Sequence, residues 1–309
     1  MLQSQPIRSS LFVPGHKPDW VAKAVATGVD EIILDLEDAV PDNQKAEARG
    51  LVRASLEALQ ADASTAINPM RTVRVNGLVT GETFDDLEGI MCPALDAVIL
   101  PKVESVEDMA QLDTLLAELE RRTGCEPGRV QTTLAMETAL AMRHAYDIAV
   151  SSPRVNHLVL ACGRGGDAAR AVGYQWTPTG EETMYLRSKA VLDARAAGIA
   201  YPTVTSWWDI ADLDGLRRDA ELNRRVGFRG MIVMHPSHVA IVNEVFNPSQ
   251  DEIAHAQGLL GAMAEAERDG SAATIFEGDL VDYAMVSTAR ELLELAERLG
   301  MPAPTDSGK

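Results

Sequence analysis

A chain of 309 residues, 46% apolar and 24% charged, carries enough hydrophobic material for a sizeable core, which excludes disorder as its main state. Its 28 basic and 46 acidic residues give a formal charge of -18, which argues against a nucleic-acid or anionic-membrane binder. Any anionic ligand must therefore be held by a local cluster of cations.

Short apolar runs alternate with longer helical patterns. Ser10–Val13 reads as a strand closed by Pro14-Gly15, and Asp19–Thr27 as a helix ending at Gly28. Glu31–Leu36 is a second strand, followed by a helix over Asn43–Gln60 with Ala48, Leu51, Val52, Leu56 and Leu59 on one face. Strands are expected at Thr72–Val75, Asp96–Leu100, Thr132–Met136, Val155–Ala161, Tyr201–Thr205 and Gly230–Met234. Helices are expected at Val106–Arg122, Thr138–Val150, Glu181–Ala197, Leu213–Val226 and Ser237–Phe246. Continuous apolar runs such as Ile32-Ile33-Leu34 are those of parallel strands buried on both faces. Eight such units in this length favour an α/β fold of the (β/α)8 TIM-barrel type over a doubly wound sheet. No GxGxxG follows the first strand, which weakens a dinucleotide-binding reading.

The pattern changes after Asn247-Pro248-Ser249. Gln250–Arg268 is helical, Ala272–Gly278 extended and Asp282–Leu299 helical, with a polar tail over Met301–Lys309. The expected organisation is a catalytic barrel over residues 1–247 and a C-terminal helical lid or oligomerisation segment over 248–309. No stretch approaches the roughly 18 apolar residues of a membrane helix. Met1–Ser10 has no signal core, and Cys92, Cys125 and Cys162 lack disulfide or zinc spacing. A soluble, cytoplasmic protein with reduced thiols is expected.

Catalytic groups of such barrels sit at the C-terminal ends of strands. Here those ends carry Asp35-Leu36-Glu37-Asp38, Arg74-Val75-Asn76-Gly77, Pro101-Lys102, Glu137, Cys162–Asp167 and His235-Pro236. One such residue reads equally well as a helix cap; six polar strand ends together read as a site. Glu137 and Asp167 form an oxygen-rich pair suited to Mg2+, compatible with a ring of ion pairs to Arg74 and Lys102. Gly163–Gly166 either cradles a phosphate or lets backbone approach a metal, and His235 reads as structural. No Ser-His-Asp, GxSxG or Walker pattern is present.

The runs Arg8–Gly15, Leu34–Val40, Arg74–Gly77, Leu100–Lys102 and Met136–Thr138, with His235-Pro236 and Asn247–Ser249, resemble the citrate lyase β-subunit-like family of CoA-ester lyases, which includes malyl-CoA and citramalyl-CoA lyases. The resemblance spans roughly residues 8–300. It implies a Mg2+-dependent carbon–carbon lyase acting on an acyl-CoA substrate, and a homo-oligomer, trimer or hexamer. It also implies roles: Glu137 and Asp167 as metal ligands, Glu37 and Asp38 holding metal-bound waters, and Arg74 binding substrate at a site that includes Phe12. Lys17 and Lys23 would meet the CoA phosphates, and Asp282 on the lid would be the acid. The run Cys162–Ala168 departs from the family's by losing an acid next to the metal aspartate and gaining Arg164. Two other readings stay open: a metal-dependent pyruvate or 2-oxo-acid aldolase without CoA, and a non-catalytic CoA-ester-binding paralogue.

Overall fold

The computed structural model describes residues 5–62 and 68–301. Eight parallel strands pair in sequence order: β1 (Ser9–Pro14), β2 (Glu31–Asp35), β3 (Met70–Arg74), β4 (Ala97–Leu100), β5 (Gln131–Met136), β6 (Val155–Ala161), β7 (Thr203–Thr205) and β8 (Gly230–Val233). The last returns to the first in the register Ser9–Met231, Ser10–Ile232 and Leu11–Val233, closing the barrel without an edge. This is the (β/α)8 TIM barrel expected from the alternating pattern.

The period of two along a strand explains why these runs are apolar throughout. Ile33, Ile99, Ala135, Val159 and Ile232 point inward and pack together, with Phe12 and Met234 against them. Their neighbours Ile32, Leu34, Val98, Leu100, Leu134, Leu158 and Leu160 face the helical layer. Both faces are therefore dry.

The surrounding helices are α1 (Val21–Val25), α2 (Lys45–Ala61), α3 (Thr83–Ile90), α4 (Val106–Thr123), α5 (Ala139–Arg143), α6 (Ala145–Val150), α7 (Asp167–Val172), α8 (Met184–Ala196), α9 (Leu213–Val226) and α10 (Pro236–Phe246). Start and stop signals are explicit in α4. Ser105 and Asp108 form a capping box, and Gly124 ends the helix at φ 72°. Three details differ from the sequence expectation. The helix expected from Asp19 opens as a 3-10 turn, Pro18–Trp20. The helix expected over 138–150 is two helices separated at His144 (φ -107°, ψ 18°). Helices α3 and α7 had no clear periodic signal.

The described residues up to Phe246 and those from Asn247 onward form two compact units. In the second, α11 (Gln250–Arg268) is followed by β9 (Thr274–Phe276), β10 (Asp279–Val281) and α12 (Tyr283–Arg298). The segment expected to be simply extended is the first arm of an antiparallel hairpin. Its tight turn falls at Glu277 (φ 52°) and Gly278 (φ 95°), both left-handed as a two-residue hairpin turn requires. A small core of Ala256, Leu259, Met263, Val281, Val286 and Ala289 holds this unit together. The end of the polar tail, 302–309, lies outside the described residues.

Candidate active site at the barrel mouth

The same parity that fills the barrel builds its mouth. Asp35, Arg74 and Glu137 lie two residues beyond Ile33, Thr72 and Ala135, on the inward face at the C-terminal ends of β2, β3 and β5. Arg74 grips Asp35 with both tines of its fork: Nε to Oδ1 at 2.7 Å and Nη2 to Oδ2 at 2.6 Å. Its Nη1 lies 3.0 Å from Glu37 Oε2. The guanidinium stacks over the Phe12 ring, 4.7 Å from the centroid. Burial works against the charge of Arg74, but Asp35 and Glu37 overcome it and hold the group protonated, above its ordinary range.

Lys102 extends this cluster. Its ammonium sits 3.1 Å from Glu37 Oε1 and 3.3 Å from Asp167 Oδ2, while its backbone N–H donates to Glu137 Oε1 at 2.8 Å. The residue adopts φ 55°, a left-handed conformation uncommon for a residue with a side chain. Asp167 opens α7 and also accepts from Arg170 at 2.5 Å. Burial pushes the Glu37 carboxyl up against the pull of Arg74. Burial, and then the charge of Glu37, push Glu137 up to about 7.

The donor set fits a hard divalent cation. Asp35, Glu37 and Asp167 each have a charged side-chain partner, whereas the Glu137 carboxylate accepts a hydrogen bond from a backbone N–H. Burial and the neighbouring Glu37 raise its pKa against the pull of Arg74 and Lys102, and a bound cation would offset both. Among the described residues no three His, Cys, Asp or Glu side chains form a ready metal cluster. Two carboxylates would leave positions for water or substrate oxygens, as a hard cation prefers.

Of the residues singled out in the sequence, the structure gathers Phe12, Glu37, Arg74, Glu137 and Asp167 through this network. Asp38 is exposed and reaches Glu37 through its charge. Lys17 and Lys23 are exposed, in the turn after β1 and on α1, and neither side chain makes an ion pair among the described residues. Arg164 is exposed on the loop after β6. His235 Nδ1 shares a 2.8 Å hydrogen bond with Ser237 Oγ, a local turn contact. Asp282 belongs to the second unit, where it is exposed and caps α12 by accepting from Ala284 N at 2.9 Å.

Three contributors had no assigned role in the sequence reading. Asp35 is the main clamp on Arg74, and parity with Ile33 is the signal that marks it. Arg170 pairs with Asp167 one helical turn on. Trp208, half-exposed after β7, lies against Gly163 so closely that a Cβ there would sit 1.9 Å from the indole Nε1. Nothing periodic in the sequence announces that contact.

A closed (β/α)8 barrel with an arginine, a lysine and four carboxylates converging at its C-terminal mouth has the architecture of an active site. The chain belongs to the HpcH/HpaI aldolase/citrate lyase family, whose model matches residues 8–236. It is 33% identical over 290 residues to a citrate lyase subunit beta of Leuconostoc mesenteroides subsp. cremoris, covering 94% of this chain and 93% of that one. It is 35% identical over 298 residues to a (3S)-malyl-CoA thioesterase of Cereibacter sphaeroides, covering 96% and 97%. Among solved structures it resembles the protein CitE of Mycobacterium tuberculosis in complex with magnesium, acetoacetate and coenzyme A. The TM-score is 0.72 at 28% identity, over 95% of this chain and 98% of that one.

Proposed function

We propose that this chain is a Mg2+-dependent carbon–carbon lyase that cleaves or forms a 3-hydroxyacyl-CoA thioester of the malyl-, citramalyl- or citryl-CoA type. One observation carries the reading: Arg74 is fixed by Asp35 and Glu37, and Lys102 ties Glu37, Glu137 and Asp167 into the same cluster. A solved relative crystallised with magnesium and coenzyme A supports the choice of metal and carrier.

Glu137 and Asp167 would hold the metal, with Glu37 and Asp38 beside its waters. When bound, Mg2+ supplies Lewis acidity toward the hydroxyl and carboxylate oxygens of the acyl group. Cleavage breaks the bond between the carbinol carbon and the carbon next to the thioester. The hydroxyl would pass its proton, by way of water, to the Glu37 carboxylate and become a carbonyl, and the electron pair of the broken bond passes to a thioester enolate. Arg74 has five N–H bonds, of which Nε, one on Nη2 and one on Nη1 are directed at Asp35 and Glu37. One N–H on each terminal nitrogen remains for substrate, and their charge favours the enolate over the neutral thioester. Lys102 keeps Glu37 and Asp167 from repelling each other. Asp282 is the proposed acid that protonates the enolate carbon, and Lys17 and Lys23 the proposed cations for the CoA phosphates.

The relative named a thioesterase favours a second reading, hydrolysis of the same thioester. Incubation with malyl-CoA and Mg2+ separates the two. The lyase yields glyoxylate and acetyl-CoA; the hydrolase consumes water and yields malate and free CoA thiol. Glyoxylate without free thiol is expected. Free thiol and malate without glyoxylate would overturn the lyase, and no turnover of malyl-, citramalyl- or citryl-CoA would overturn both. Turnover of free 2-oxo acids alone would support the CoA-independent aldolase.

A further inference from the structure

The motif Arg74-Val75-Asn76-Gly77 contains a residue to which the proposed chemistry gives no role. Asn76 is fully buried, as is Asp86 on α3. In a parallel ladder Leu36 N–H donates to Arg74 C=O, which it does at 2.9 Å. The next rung would bring the Asn76 N–H to Leu36 C=O. Here that rung is replaced. The Asn76 backbone N–H donates instead to Asp86 Oδ2 at 2.8 Å, and its side-chain Nδ2 donates to Leu36 C=O at 2.9 Å. Meanwhile Val75 N–H still donates to Ile99 C=O at 3.1 Å, so this end of β3 stays with β4 while it parts from β2.

Every other polar group of Asn76 is also engaged. Its second Nδ2 hydrogen goes to Asp86 Oδ2 at 2.7 Å, its Oδ1 accepts from Lys45 Nζ at 2.6 Å, and its carbonyl accepts from Thr83 Oγ1 at 2.9 Å. Asp86 is anchored in turn by Arg49, whose Nε donates to Oδ1 at 2.8 Å. A fully satisfied buried network of this kind has one arrangement.

We infer that Asn76, braced by Asp86, is a positioning residue that fixes the gap between β2 and β3 and thereby the pairing of Arg74 with Asp35 and Glu37. The Leu36 carbonyl belongs to the peptide that leads into Glu37, and Asn76 follows Arg74 by two residues. An amide side chain longer than a backbone N–H sets how far the strand ends part before the two charged groups meet. The role rests on the proposed function of Arg74, but its test does not require turnover.

The Arg74 Nε–H bonds Asp35 within the same cluster, and its resonance is assigned by its loss in Arg74→Lys. In Asn76→Ala its exchange with water should speed up about tenfold, as expected from loss of one hydrogen bond's worth of constraint. Asn76→Asp with Asp86→Asn swaps amide and carboxylate. It should restore the contact between the two positions and most of the Tm, yet leave Leu36 without its donor and Arg74 still unprotected. Where the protein turns over malyl-CoA, kcat should fall about a hundredfold with KM nearly unchanged, the cost of a small misplacement. Arg74 protection unchanged in the swapped protein would overturn the inference and leave a structural role only. Absence of turnover in the wild type would instead sink the lyase reading, with Arg74 exchange still deciding this one.

Discussion

Glu137 and Asp167 differ in how their charges are met, and this makes the metal assignment testable one side chain at a time. Glu137→Gln and Asp167→Asn each remove one proposed anionic oxygen ligand. Either should abolish Mg2+-dependent turnover while circular dichroism and Tm without metal stay near wild type, because rim residues do not build the core. Added Mg2+ should raise the wild-type Tm and leave both variants unmoved. Full activity of either variant would remove the assignment. A different titration lies inside the barrel. His157 on β6 is buried, and loss of water pushes its pKa down from 6.5 to about 4. The unfolded chain takes up this proton near pH 6.5, whereas the folded protein resists until about 4. The contribution is therefore whole above 6.5 and is lost as pH falls through that window, by about 3 kcal/mol at most. Urea unfolding between pH 7 and 4 should show a steeper loss for wild type than for His157→Gln; parallel curves would contradict the burial effect.

At the scale of elements, the close approach of the loops after β6 and β7 gives a direct steric prediction. Gly163→Ala would bring a Cβ 1.9 Å from Trp208 Nε1 and 2.6 Å from its Cδ1, so one loop must move. Overpacking of this kind costs about 1–3 kcal/mol. The variant should lose several degrees of Tm, and turnover with it, because the moved loop carries Asp167. Adding Trp208→Ala should relieve the overlap and recover the Tm; failure to recover would place the strain elsewhere. The elements also show what local pattern can encode. Helices α9 and α11 run over the residues expected from periodicity, since their apolar stripe and caps are decided within the segment. Helix α3 carries no clear apolar stripe in the sequence, because one of its inward residues is an acid: Asp86 is buried against Arg49 and Asn76. Helix α7 has one buried residue, Ala168, and opens on a candidate ligand, so chemistry outweighs amphipathic pattern there. The site follows the same division. Arg74 and Glu137 were legible as polar residues ending apolar runs. The choice of Asp35 over Asp38 as the clamp on Arg74 depends on strand parity at the end of β2 and on where the chain turns away.

For the whole molecule, the formal charge of -18 sets a repulsive field against any polyanionic carrier. Lys17 and Lys23, exposed and without ion pairs among the described residues, are the proposed local answer to it. Lys17→Ala with Lys23→Ala should raise KM for malyl-CoA about tenfold and leave glyoxylate binding unchanged. The salt response should change sign. Added salt weakens local attraction in the wild type, whereas in the double variant it screens only the remaining repulsion and should improve binding. Equal weakening for both ligands would point to a different entry route. The second unit poses the remaining question of which groups complete the chemistry. Asp282 caps α12 through Ala284 N, and an asparagine at that position caps about as well. Asn cannot exchange the proton that the proposed enolate carbon would take up. Asp282→Asn should therefore keep the wild-type Tm and lose turnover by about 10²–10⁴, the usual worth of a general acid. If the acid acts across subunits, mixed oligomers of inactive Asp282→Asn and inactive Glu137→Gln chains should regain part of the activity, because some sites then combine an intact barrel with an intact acid. Mixed oligomers that stay inactive would mean that each chain supplies its own acid, whereas full turnover by Asp282→Asn alone would reduce Asp282 to its cap.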